Sequence, residues 1–277
     1  MSVLKSSPGK EDNRLSAEAI RRPGGRLGHT VIVLPEVGST NDELKRRAEA
    51  GAPEGVVILA ESQTRGRGRL QRRWESPRGK DLLASVLLRP GLPAEQAFRI
   101  TLLAGVAVAE TLARDYGLQP RIKWPNDVLV RGRKLCGILA ELRAEKGKIN
   151  YIILGLGINL NLEAEDLPEE LRPLAGSVRQ ELHRPVDRAV FARDLLAGLE
   201  SRYQALLAGR FSELLSAWHR WAALEGQEVT VGLGRETISG RALGLDQDGA
   251  LRVWDSMAGI ERRIVAGDVQ YLREQGG

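Results

Sequence analysis

The chain has 277 residues, 42% of them hydrophobic, which is enough for a sizeable core and a prior of about two domains. Its 41 basic residues stand against 36 acidic ones, a formal charge of +5 without a polybasic tail, and its one cysteine, Cys136, excludes an internal disulfide framework. Three scattered histidines (His29, His183, His219) suggest no metal cluster, the apolar run Ile100 to Ala109 is too short to span a bilayer, and Met1-Ser2-Val3-Leu4-Lys5 has no signal-peptide core, so a cytoplasmic protein with no membrane partner is expected.

Residues 1–28 are polar, with a brief amphipathic segment near Leu15 to Ile20 that is too short for an independent DNA-binding helical domain. Thr30 to Leu34 has the β-branched content of a strand, broken by Gly38-Ser39-Thr40-Asn41. A helix follows: Thr40 with Glu43 reads as a capping box, and Gly51 with Pro53 closes it. Ser39 and Thr40 therefore stand at a helix N-terminus, where hydroxyls either cap the helix or hold a small polar ligand.

Val56 to Leu59 reads as a buried strand that feeds the segment Glu61 to Trp74, and Leu82 to Leu88 as the strand that leaves it. That segment packs five arginines and two glycines into residues 65–73. Arginine offers planar forked donors to phosphate or carboxylate, and the glycines let backbone N–H groups approach the same anion. A connection of about twenty residues is uncommon in a compact domain unless it is functional, which favours an anion-closing loop over a solvated basic surface. Left empty, such a loop is expected to be poorly ordered, since like charges repel.

Pro93 to Tyr116 reads as one long buried helix ended by Gly117. Pro125-Asn126-Asp127 and Arg131-Gly132-Arg133 are turns between short strands, placing Lys123, Asp127 and Lys134 close together on adjacent hairpins. Gly155-Leu156-Gly157 superficially suggests a dinucleotide fingerprint, but Leu160 stands at the last glycine position and strand residues continue where a helix should start, so that reading is rejected. Glu163 to Pro185 is loop-like, Asp187 to Leu207 and Phe211 to Trp221 read as helices, and short alternating runs after residue 223 suggest a small five-strand barrel. The expected division is an extension at 1–28, a catalytic domain at 29–222 and a barrel domain at 223–277, with a boundary near Ala223.

Five segments in order, Gly38-Ser39-Thr40-Asn41, Gln63 with Gly66-Arg67-Gly68-Arg69 and Trp74, Lys123-Trp124-Pro125-Asn126-Asp127, Lys134 to Leu139, and Gly155 to Asn159, resemble the biotin protein ligases. The resemblance spans residues 30–272. It implies an α/β (α+β) fold, a mixed-sheet, class II synthetase-like catalytic domain with a Src-homology-3-like barrel. It also implies a two-step reaction in which biotin and ATP give biotinyl-5'-adenylate, and the biotinyl group then moves to a lysine of a biotin carboxyl carrier domain. Ser39, Thr40, Asn41 and Gln63 would hold the ureido ring, with the backbone near Arg67 and Gly68 assisting. Arg67 and Arg69 would meet the α-phosphate and the carboxylate. Lys134 would bridge the two, and Asp127 would place magnesium or orient the cations and later the acceptor lysine. Trp74 would pack on the adenine or fold with the loop, Gly137 and Gly155 would leave room for ligand, and Lys123, Asn126 and Asn159 would complete the ATP site.

Gln71 departs from the family, many of whose members have glycine there. The resemblance further implies a short form without the N-terminal DNA-binding domain of repressor-type members, hence no specific DNA binding, and a possible homodimer. A lipoate ligase and a non-enzymatic nucleic-acid-binding protein are the other readings the sequence leaves open.

Overall fold

The computed structural model of the chain describes residues 13–222, 224–234, 236–265 and 267–271. Strands β1 (Thr30–Leu34), β2 (Val56–Ala60), β3 (Leu82–Leu88), β4 (Pro120–Lys123), β5 (Asp127–Val130), β6 (Arg133–Glu145) and β7 (Lys148–Ile158) form a seven-stranded mixed sheet in the order β1-β2-β3-β7-β6-β5-β4. The helices are α1 (Ala17–Ile20), α2 (Thr40–Glu49), α3 (Phe98–Tyr116), α4 (Val178–Leu182), α5 (Arg188–Leu207) and α6 (Phe211–Trp221). A parallel pair needs a crossover, and α2 supplies it between β1 and β2; the other neighbours are antiparallel, and all but β3 and β7 are consecutive strands joined by turns or loops. Every residue of β2 and β3 is buried, which is why both read as unbroken apolar runs.

Alternation along β7 divides the sheet into two faces. Ile152, Leu154, Leu156 and Ile158 enter the large core beneath α3, α5 and α6. On the other side Tyr151 and Ile153 join Leu44 and Ala48 of α2 in a smaller cluster, and the same face then continues into Gly155 and Gly157. The sheet therefore changes from an apolar bed under α2 to a surface without side chains.

Three expectations need correction here. The segment Ala94–Tyr116 is long and apolar enough to cross a membrane by length and composition, but Ile100, Leu103, Val106 and Ala107 are buried in the protein core, and a 3-10 turn at Ala94–Gln96 interrupts the single helix read from the sequence. The N-cap of α2 is Ser39 and no capping box forms: the Thr40 hydroxyl is committed to Gln63, and the Glu43 carboxylate accepts from Arg46 and Arg47. Residues 13–28 are not a free extension, for Ile20 and Leu27 are buried and Arg22 pairs with Glu200 of α5. Residues 1–12, the boundary residue Ala223 and the chain after 271 lie outside the described residues.

A second, antiparallel sheet comprises β8 (Glu228–Leu233), β9 (Glu236–Leu245), β10 (Leu251–Asp255), β11 (Ile260–Ile264) and β12 (Asp268–Tyr271) in the order β11-β10-β9-β8-β12. Its apolar residues continue the main core. The β9–β10 turn docks on the helices: a Cβ at Gly249, which has φ +93°, would come within 2.8 Å of Leu102 and 3.0 Å of Phe211.

The long connection between β2 and β3 is fixed at both ends by one buried side chain. Arg188, 2% exposed at the start of α5, pairs with Glu61 Oε2 at 2.7 Å and donates to the carbonyls of Asp81 at 3.2 Å and Asn13 at 2.6 Å. Removing one partner of a buried pair strands the other charge, so Arg188→Ala is expected to lower unfolding stability by about 3–5 kcal/mol. A urea midpoint unchanged from the wild type would show that the clamp carries no stability.

Candidate active site

Between the glycine surface and the arginine loop lies a cleft of about 640 Å³. One end is a polar pocket built from the start of α2. Ser39, Thr40 and Asn41 are only 3–4% exposed, and the side chains of Thr40 and Asn41 are paired. Gln63 Oε1 accepts from Thr40 N at 2.7 Å and Thr40 Oγ1 at 3.0 Å, while the fully buried Ser85 hydroxyl lies 2.8 Å from Thr40 Oγ1 and 2.6 Å from Asn41 Oδ1. Asn41 Nδ2 donates to Glu141 Oε2 at 2.6 Å. Donors and acceptors are thus held in place before any ligand enters, as recognition of a small polar head requires.

The far end gathers the cations. Lys134 Nζ stands 2.8 Å from Asp127 Oδ1, Arg69 Nη1 donates to Asn126 Oδ1 at 3.1 Å, and Asn126 Nδ2 donates to the Ile138 carbonyl at 2.9 Å. A bulge aims Lys134 into the cleft: Val128 pairs with Cys136 but Leu129 pairs with Lys134, so Leu135 and Cys136 both turn into the core while Lys134 and Gly137 share the cleft side.

Trp74 lies across the floor between the two ends. Gly137 and Gly157 are directly paired across β6 and β7, and a Cβ on either would come within 2.8 Å and 2.5 Å of the indole. Lys134 Nζ is 5.5 Å from the indole centroid. The indole Nε1–H is buried without a partner, and Asp127 Oδ1 pairs ionically with Lys134 but accepts no hydrogen bond, so two buried polar groups of the cleft retain capacity for a ligand.

Ser39, Thr40, Asn41, Gln63, Arg67, Gly68, Arg69, Trp74, Asn126, Asp127, Lys134, Gly137, Gly155 and Asn159 all line this cleft, so the residues expected at the site are brought together. Lys123 is the exception: it ends the edge strand β4, two strands beyond β6, and does not line the cleft. Arg67 lines the cleft with its guanidinium committed elsewhere than the Lys134 end. It is bidentate to Asp42 at 2.7 and 2.5 Å and reaches Glu141 at 3.2 Å, and its hydrogen bond holds the Asp42 carboxyl below the usual carboxylate range. Asn159 Nδ2 donates to the Gly176 carbonyl at 2.9 Å, so this side chain braces the wall.

Sequence reasoning missed Asp42, Ser85 and Glu141, which lie in ordinary helix and strand patterns and become polar partners only through sheet register. It also missed the wall contributed by Leu167, Leu171 and Leu174. Among the described residues no group of three or more His, Cys, Asp or Glu side chains could hold a metal. The Asp127 carboxylate, paired with Lys134 through its buried Oδ1, offers one carboxylate group at this end of the cleft, which suits magnesium as an ion that takes most of its ligands from phosphate and water.

Two family models match the chain: the biotin/lipoate A/B protein ligase family over residues 33–159, and the biotin protein ligase C-terminal domain over residues 226–271. A bifunctional ligase/repressor BirA from Bacillus subtilis is 35% identical over 244 residues, covering 88% of this chain and 74% of the relative. A biotin–[acetyl-CoA-carboxylase] ligase from Mycobacterium tuberculosis is 36% identical over 248 residues, covering 87% of this chain and 88% of that one. The chain belongs to the biotin protein ligases. Among solved structures, a biotin protein ligase from Aquifex aeolicus in complex with biotin and ATP matches with a TM-score of 0.75 and 29% identity over 88% of this chain and 99% of its own. The first family segment runs from β1 to the end of β7, and so contains the polar pocket, the loop, the glycine floor and Lys134 of this biotin protein ligase.

The exit of the loop carries a titratable group that sequence gave no reason to single out. Asp81, 2% exposed, accepts from Ser76 Oγ at 2.7 Å and from Leu160 N at 3.1 Å, and burial pushes its carboxyl up to about 7. Unfolded, the carboxyl titrates near 3.8, so the folded state holds the proton more tightly. The stability contributed is fully present below about 3.8 and is lost as pH rises through about 7. Asp81→Asn keeps the shape without the charge, and its stability relative to the wild type is expected to rise between about pH 4 and pH 7 in urea titrations. Parallel pH curves would show that Asp81 ionises there without penalty.

Proposed function

We propose that the chain couples biotin to ATP, forming biotinyl-5'-adenylate and pyrophosphate, and then transfers the biotinyl group to a lysine of a biotin carboxyl carrier domain in a carboxylase of the acetyl-CoA carboxylase type. The observation that carries this reading is the convergence of Arg69, from the loop, and Lys134, from β6, on one cleft whose opposite end is a preformed polar pocket. A flat head with donors and acceptors suits the pocket at Thr40 and Asn41, an apolar tail suits the glycine floor, and the carboxylate then arrives at the cations.

In the first step a biotin carboxylate oxygen attacks the α-phosphorus, and the bond to the departing pyrophosphate breaks. Negative charge gathers on the phosphoryl oxygens, where Lys134 and Arg69 stabilise it; donors placed in advance contribute more to the transition state than to the ground state. Magnesium bound at Asp127 would neutralise phosphate charge. In the second step the acceptor amine, having lost a proton, attacks the acyl carbon and AMP leaves with the electron pair of the broken C–O bond. Asp127 orients Lys134 in the first step and the incoming amine in the second. The product of the first step is a mixed anhydride that water destroys, so a loop lying across the cleft serves to retain it. The same reading places the reaction in the cytoplasm, which suits a chain with one buried thiol, and assigns no operator-binding role.

Biotin-dependent ATP–pyrophosphate exchange tests the reading, and equal or greater exchange with lipoate would convert it to lipoate ligation. Lys134→Ala and Arg69→Ala are each expected to lower the exchange rate by about a hundredfold or more while the thermal unfolding midpoint stays close to that of the wild type. Unfolded variants would instead make these side chains structural.

A further inference from the structure

The two-step reaction leaves Glu141 without a task, although it stands on the cleft side of β6 and touches two elements that the reaction uses. Its Oε2 accepts from Asn41 Nδ2 at 2.6 Å, and its Oε1 accepts from Arg67 Nη2 at 3.2 Å. Asn41 belongs to the head pocket on α2, while Arg67 belongs to the loop across the cleft. A carboxylate only accepts, so the nitrogen of the Asn41 amide must face Glu141 and the oxygen must face Ser85 and the floor. At Gly155 a Cβ would come within 2.4 Å of that oxygen, so the oxygen rests directly over the sheet where the ligand head enters. With no acceptor-only group beside it, the amide is free to turn over, exchanging the acceptor shown to the ligand for a donor.

We infer that Glu141 is a positioning residue with two linked effects: it fixes the Asn41 amide so that an acceptor meets a ring N–H of the biotin head, and it ties that orientation to the loop through Arg67. This rests on the biotin reading of the cleft. Asp42 holds Arg67 to α2 from the other side, so Glu141 is what joins this arginine of the loop to the sheet. The coupling runs over two short bonds: a head bound correctly holds Asn41, Asn41 holds Glu141, and Glu141 holds the loop arginine. Glutamine in its place loses the charge that draws Arg67 and puts an N–H2 donor where one acceptor oxygen stood, facing the donors of Asn41 and Arg67.

The test uses the full chain with biotin and MgATP, reading the KM for each substrate in pyrophosphate exchange and the biotin concentration that protects the loop arginines from trypsin. Glu141→Gln is expected to raise the KM for biotin and the protecting concentration by about tenfold or more, with the KM for ATP within about twofold of the wild type. Arg67→Met releases the loop from both Glu141 and Asp42 while leaving the Glu141–Asn41 bond in place, and is expected to raise the protecting biotin concentration by a larger factor than it raises the KM for biotin. It also carries the test should Glu141→Gln fail to fold. An unchanged KM for biotin and unchanged protection in a folded Glu141→Gln variant, or full protection in Arg67→Met, overturns the coupling. Absence of biotin-dependent exchange in the wild type overturns the biotin reading, and the coupling with it.

Discussion

A ligand can lie flat against a β-sheet only where the pleat carries no side chains, and the whole site depends on how this sheet meets that constraint. Gly137 and Gly157 oppose each other across β6 and β7, and Gly155 lies one pleat along. Glycine weakens a strand, because it packs nothing and loses the most backbone freedom on ordering. The deficit is offset on the reverse face of the same strands, where Ile138, Leu154, Leu156 and Ile158 are all buried in the large core. The glycines sit in the interior of the sheet, with β3 pairing on one side and β5 on the other, so the ladder stays complete where the side chains are missing.

Charge in the loop is handled by giving each arginine a different obligation. Arg67 is tied to carboxylates at the head end, so it acts as a fastener, and Arg69 donates to the Asn126 side chain and the Gly267 carbonyl at the Lys134 end. Arg188, outside the cleft, closes the ends of the same connection and keeps the length of the loop from becoming slack.

The strands along the chain and the helices α5 and α6 were legible in the sequence through apolar runs bounded by glycine and through helical spacing, and the expected cleft residues through the arginine-glycine pattern and the resemblance to the biotin protein ligases. What could not be read depends on register. Lys134 reaches the cleft because a bulge turns Leu135 and Cys136 together into the core, and no periodicity announces a bulge. Ser85 and Glu141 become pocket residues only when β3, β7 and β6 are laid side by side. Thr40 was assigned to the backbone as half of a capping box, whereas a partner 23 residues away took its hydroxyl. Lys123 pairs with Asp127 across the hairpin, as its spacing suggests, but on the edge strand β4 it does not line the cleft.

The second sheet is joined to the cleft through Arg69 of the loop. Arg69 Nη2 donates to the carbonyl of Gly267, 198 residues away, at 2.8 Å, while Nη1 reaches Asn126 in the turn before β5. One guanidinium therefore joins the loop, the hairpin that carries Asp127 and the segment leading into β12. Planar forked donors suit a junction of three separate backbones, because the angle between two donors fixes the angle between their acceptors. The docking of the Asp246 to Gly249 turn on Leu102 and Phe211 holds the second sheet at the distance this junction requires. The position of Arg69 at the cleft is accordingly set by the packing of both sheets, which connects the small sheet to the activation step without any of its side chains having to enter the cleft.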